Sequence, residues 1–62
     1  MRTIYGIRVE WIDELESYHC EEYFFSNEKE GNEAIYRIRR GYHADAKIRK
    51  FRVISSIEES GW

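Results

Sequence analysis

Sixty-two residues make at most one small domain, and such a chain buries only about 60% of the surface it exposes when unfolded. Its single cysteine, Cys20, excludes an intrachain disulfide, so the fold must rest on its 42% hydrophobic residues, ten of them aromatic (two Trp, five Tyr, three Phe). Twelve acidic against ten basic residues, with no apolar run near the roughly 18–20 residues of a membrane span and no basic-then-apolar leader, lead us to expect a soluble intracellular α+β domain.

Residues 3–12 alternate. Tyr5, Ile7, Val9 and Trp11 share one parity and Arg8 and Glu10 the other, which predicts a half-buried strand. Gly6 in its middle predicts a bulge or the close approach of another backbone. Asp13-Glu14-Leu15-Glu16 breaks the pattern and reads as a hairpin connection. Residues 17–25 form a second strand in which no single parity holds Tyr18, Cys20, Tyr23, Phe24 and Phe25. Either Glu21 or Glu22 sits among aromatics, or a bulge shifts the register.

Asn27 followed three residues later by Glu30 resembles a capping box, and Glu28 and Glu30 suit the positive end of a helix dipole. Gly31, Ala34, Ile35, Ile38 and Tyr42 then recur at three- and four-residue spacing, Arg37, Arg39 and Arg40 crowd the last turn, and Gly41 supplies a C-cap. A helix over residues 28–40 follows, with Gly31 and Ala34 small enough to let it approach a sheet closely. After a loop, residues 46–57 read as a third strand, with Phe51, Val53 and Ile57 of one parity and Ile48 and Ile54 of the other. The tail from Glu58 to Trp62 reads as frayed, with a terminal Trp able to dock. The architecture expected is strand-strand-helix-strand: a three-stranded antiparallel sheet with one helix on one face, the last strand beside the first. Both sheet edges stay open, so self-association into a homodimer is expected.

Little catalytic chemistry is on offer. His19 and Cys20 are neighbours, but adjacent strand residues point to opposite faces and cannot act as nucleophile and base. Cys20 therefore reads as a small core residue. A zinc site from His19, Cys20 and His43 lacks a fourth ligand. His43 and Asp45 read as a solvated turn, and no glycine-rich phosphate loop is present. No enzyme activity, catalytic residue, metal or cofactor is expected.

Charge segregation is the informative feature. Residues 1–33 carry nine acids and three bases, and residues 34–62 carry seven bases and three acids. Cross-strand pairing could neutralise both halves on a solvated surface. Alternatively, an acidic hairpin occupies a basic surface on a partner, with Glu14, Glu16, Glu21 and Glu22 beside the aromatic anchors Tyr18 and Tyr23. In the third reading Arg37, Arg39, Arg40, Lys47, Arg49 and Lys50 hold nucleic-acid phosphates, with Tyr36 or Tyr42 stacking on bases. The pI of about 5.6 counts against a dedicated nucleic-acid binder.

The stretch Glu22-Tyr23-Phe24-Phe25-Ser26-Asn27-Glu28-Lys29-Glu30, a strand ending in aromatics that runs straight into a capped acidic helix start, resembles small bacteriophage and prophage proteins. The resemblance implies a host-takeover or anti-defence setting in the bacterial cytoplasm. It implies a protein that binds and inhibits a bacterial host or defence enzyme stoichiometrically. It carries over no functional residue.

Overall fold

The computed structural model describes residues 2–62. Strand β1 (Thr3–Ile12) and strand β2 (Tyr18–Phe25) form the expected hairpin, helix α1 (Glu28–Arg40) follows, and strands β3 (Lys47–Ile54) and β4 (Ile57–Ser60) complete the chain. The sheet runs β2-β1-β3-β4, antiparallel throughout. The expected α+β class and the placement of the third strand beside the first both hold.

The strand count does not. What reads in sequence as one strand over residues 46–57 is two, split at Ser55-Ser56, where both residues adopt left-handed φ angles of 52° and 67°. Successive left-handed residues make the hairpin turn whose twist matches the flanking strands. Without Gly, Asn or Asp there, the apolar Ile54 and Ile57 read as continuous; folding back makes them cross-strand partners instead. The tail is likewise not frayed. Beyond β4 the Gly61 amide donates to the Lys50 carbonyl at 2.8 Å, and Trp62 turns inward.

The register of β2 is regular, from Tyr5 opposite Phe25 to Ile12 opposite Tyr18, with no bulge. Glu21 is accordingly the acid that sits among aromatics, on the helix side with Tyr23, while Cys20, Glu22 and Phe24 point to the other face. Cys20 is exposed, not a core residue, because that face carries no second layer.

Helix α1 forms as its sequence dictates. The Asn27 side chain accepts the Glu30 amide at 2.9 Å, and Gly41 closes the far end by donating to the Ile38 carbonyl. Ile35 and Ile38 pack on Ile7 and Val9, both of which have 0% exposure. Each such side chain contributes about 1.5–3 kcal/mol on burial. The helix lies over β1 and β2. Trp62 fills the remaining gap: its ring meets Tyr5 edge-on at 5.4 Å, its indole N–H donates to the Gly6 carbonyl at 3.2 Å, and Lys50 sits 4.4 Å above it. A Cβ on Gly31 would fall 2.2 Å from this ring, so the small residue serves the docked tail as well as the helix–sheet approach.

On the bare face, Phe51 is only 4% exposed although no element covers it. Its ring rests on Gly6, where a Cβ would come within 2.3 Å, so the close approach at Gly6 is by a side chain and not by backbone. The Arg8 guanidinium lies 4.5 Å above the Phe51 ring. Arg8 is held there by Glu22 on one side, 2.8 Å from Nε, and by both oxygens of Glu58 on the other, at 2.7 and 3.3 Å. This paired fork is the stronger kind of ion pair, and it ties β2, β1 and β4 together across β3. The hydrogen bond that Arg8 donates to Glu58, then the one it donates to Glu22, raises the Arg8 pKa, and Arg8 lowers that of Glu58.

Candidate interaction site

The β1–β2 hairpin outruns the rest of the sheet, because β3 begins opposite Glu10 and leaves Trp11 and Ile12 paired on one side only. Asp13 sets the shape of its loop. One carboxylate oxygen accepts the Leu15 and Ser17 amides, each at 2.9 Å, and the other lies 2.6 Å from His19 Nε2. The His19 hydrogen bond is the largest cause of a lowered Asp13 pKa, with the backbone amides adding to it. Glu16 takes a left-handed φ of 62° to close the loop.

With Asp13 turned inward, the loop presents Glu14, Leu15 and Glu16 outward. Leu15 is 86% exposed, and Tyr18 at the hairpin base is 62% exposed, as is much of Ile12. The Tyr18 hydroxyl donates to Glu10 at 2.7 Å. The apolar tip is thus flanked by Glu14 and Glu16 and stands near the exposed Tyr18 ring.

On the helix side of the same end, Trp11 stacks on His19 with centroids 5.1 Å apart and tilts against Tyr42 at 5.1 Å. The Tyr42 hydroxyl donates to Glu21 and also touches the Tyr23 hydroxyl, which lies 3.1 Å from the same carboxylate. Burial first, and the Glu21 carboxylate next, push the Tyr42 pKa upward. Trp11, Glu21, Tyr23 and Tyr42, with Arg37 and His43, line an open cleft of about 570 Å³.

The six residues singled out for partner binding are therefore split. Glu14 and Glu16 stand at the tip; Tyr18 and Glu22 lie on the bare face, Glu22 engaged by Arg8; Glu21 and Tyr23 face the helix and bond Tyr42. The six basic residues are dispersed as well. Arg37, Arg39 and Arg40 are exposed on the helix, Lys47 and Arg49 lie on the bare face, and Lys50 reaches Asn32 at 2.7 Å beside Trp62. Cross-strand pairing offsets part of the segregated charge: Arg52 meets Glu59 at 3.0 Å and Arg49 meets Glu10 at 4.0 Å, beside the two Arg8 pairs. Glu14 and Glu16 take part in none of the ion pairs among the described residues.

Sequence reading missed Leu15 as the exposed apolar residue of the tip, although one apolar residue inside an acidic loop was the available signal. It also missed the Trp11–Tyr42 contact, which joins residues far apart in the chain. No helix among the described residues is long and apolar enough to cross a membrane. Comparison with protein-family models, with curated proteins and with solved structures gives no match.

Proposed function

We propose that this chain is a binding protein that acts by stoichiometric protein–protein contact, with the β1–β2 hairpin end as its contact surface. The observation that carries the reading is Leu15, almost fully exposed between Glu14 and Glu16 on a loop fixed by Asp13. A preset loop loses little conformational freedom on docking, and an exposed apolar side chain gains when a partner covers it. The flanking acids select a basic partner surface and speed the encounter, an effect that fades as salt screens exposed charges beyond about 8–10 Å. That the partner is a bacterial host or defence enzyme, blocked by this contact in the bacterial cytoplasm, rests on the resemblance to phage proteins alone.

The experiment is a charge and anchor reversal at the tip. The variant Glu14→Lys/Leu15→Asp/Glu16→Lys alters no side chain that Asp13 or Arg8 uses, so its circular dichroism should match the parent. It should lose partner binding, while Arg49→Glu should retain it. A tip variant that binds as the parent does overturns the reading.

A second reading keeps one supporting observation. Tyr36 is exposed on the helix beside Arg37, Arg39 and Arg40, the pairing of aromatic and cation that suits a nucleic-acid strand. A salt titration against random duplex and single-stranded DNA and RNA tests it directly. Binding that falls steeply with salt and is lost in Arg37→Glu/Arg40→Glu would favour this reading over the hairpin.

A further inference from the structure

The bare face of the sheet is ordered like an interface. At one end Ile4 on β1 and Val53 on β3 lie side by side; next come Phe24 on β2 and Phe51 on β3, flanking Gly6; then Glu22 on β2 and Arg49 on β3, flanking Arg8. Phe24 keeps 57% of its surface exposed and Ile4 keeps 40%. The described residues form a slab of 42 × 23 × 13 Å with the helix on the opposite side, so no element among them covers this face. Acid stands on one flank of β1 and base on the other, at the same level along the strands.

We propose that a second copy of this chain covers the bare face, related to the first by a two-fold axis running along β1. Such an axis keeps position along the strands and exchanges the flanks. Phe24 then faces Phe51 of the second copy with that copy's Arg8 over the ring, Glu22 faces its Arg49, and each pairing occurs twice, as a two-fold interface requires. Two sheets packed in this way lie about 10 Å apart with their strands within about 30° of each other. An axis across the strands at the level of Arg8 sets Glu22 on Glu22 and Arg49 on Arg49, an axis above the gap between β1 and β3 sets Arg8 on Arg49, and an axis above the gap between β1 and β2 leaves Phe51 and Arg49 uncovered.

Like residues do meet on the proposed axis, but they are already engaged within their own sheets. Arg8 lies over the Phe51 ring and pairs with Glu22 and Glu58, and Glu10 accepts the Tyr18 hydroxyl. Arg49 has the opposite status: it is exposed, and its recorded partner, Glu10, is 4.0 Å away. Glu22 uses one carboxylate oxygen for Arg8 and has the other free to accept across the interface. The arrangement does not depend on the hairpin reading, since both tips project beyond the covered rows.

The test is the mass of the protein across a concentration series from micromolar to millimolar, with a pair of charge reversals. The parent should reach twice 7.6 kDa within that range. Glu22→Lys and Arg49→Glu should each weaken association by more than about tenfold, because each sets like charges face to face twice. An equimolar mixture of the two should recover the dimer, since Lys then faces Glu and Arg faces Glu. Should Glu22→Lys unfold because Arg8 loses a partner, Phe24→Ser supplies a variant that leaves Arg8 alone and should also weaken the dimer. A parent that stays monomeric overturns the proposal. So does a dimer indifferent to Arg49→Glu and Phe24→Ser, which would point to pairing through the β2 edge. A mixture of folded variants that remains monomeric overturns it too.

Discussion

Replacing Trp62 with Ala removes the indole that docks between helix and sheet and, with it, a large part of the stability. Truncating a fully buried Trp costs about 3–5 kcal/mol; Trp62 is half-buried, which brings this to about 2 kcal/mol. The edge-on contact with Tyr5 and the Lys50 ammonium above the ring add about 1 kcal/mol together. At about 4–8 °C per kcal/mol for a domain of this size, the melting temperature should fall by about 12–24 °C in a far-ultraviolet circular dichroism scan. Gly31→Ala provides the diagnostic partner. With Trp62 present, the new methyl collides with the ring at 2.2 Å and should destabilise. With Trp62 already removed the collision is gone, and the better helix former should stabilise by about 0.5–1 kcal/mol. The sign of the Gly31 effect thus reports whether the tail is docked. A Trp62→Ala melting point within a few degrees of the parent, or a stabilising Gly31→Ala in the parent, would refute the docked tail.

Three further outcomes follow from named contacts. Ile38→Asp buries an unpaired charge against Ile7 and Val9 and should leave the chain unfolded, read as lost amide dispersion in a proton–nitrogen spectrum. Ser55→Asn/Ser56→Gly places residues suited to left-handed backbone where φ is 52° and 67°, and should raise stability by about 0.5–1 kcal/mol in a urea titration. Asp13 and Glu58 have folded pKa values held below their ordinary 3.8 and 4.5, by His19 and Arg8 respectively. Their contribution is fully present above those ordinary values and is lost as pH falls through the depressed ones. Melting temperature should therefore decline below about pH 4.5, and Glu58→Gln should flatten part of that decline.

The elements governed by local chemistry were legible in the sequence, and those governed by distant contacts were not. The alternation of Tyr5, Ile7, Val9 and Trp11 and the Asn27 cap each act within a few residues, and β1 and α1 come out as read. The Ser55-Ser56 turn lacks the usual turn residues; its left-handed backbone is imposed by Ile54 pairing with Ile57, a tertiary demand with no local signature. Glu21 among aromatics looked like a patterning conflict because its resolution, two tyrosine hydroxyls at one carboxylate, draws Tyr42 from beyond the helix. Gly6 showed as a weak point in a strand, but the ring that needs it belongs to Phe51, far along the chain. For the site, the excess of acid in the hairpin was visible, whereas its division between two faces was not. Pairing consumes Glu21 and Glu22 and leaves Glu14 and Glu16 free with Leu15. Reversing all four acids together, as the sequence alone would suggest, would therefore disturb the Arg8 and Tyr42 contacts as well as the surface.

Partner binding through the hairpin tip is open to direct measurement. Its most direct measurement is affinity capture from bacterial lysate by the parent and by Glu14→Lys/Leu15→Asp/Glu16→Lys, quantified by mass spectrometry at low and high salt. The parent should capture a protein in a stoichiometric ratio and release it as salt rises, and the folded tip variant should capture none. Equal capture by parent and tip variant, or capture that survives at the tip but is lost on reversing Arg37 and Arg40, would contradict it.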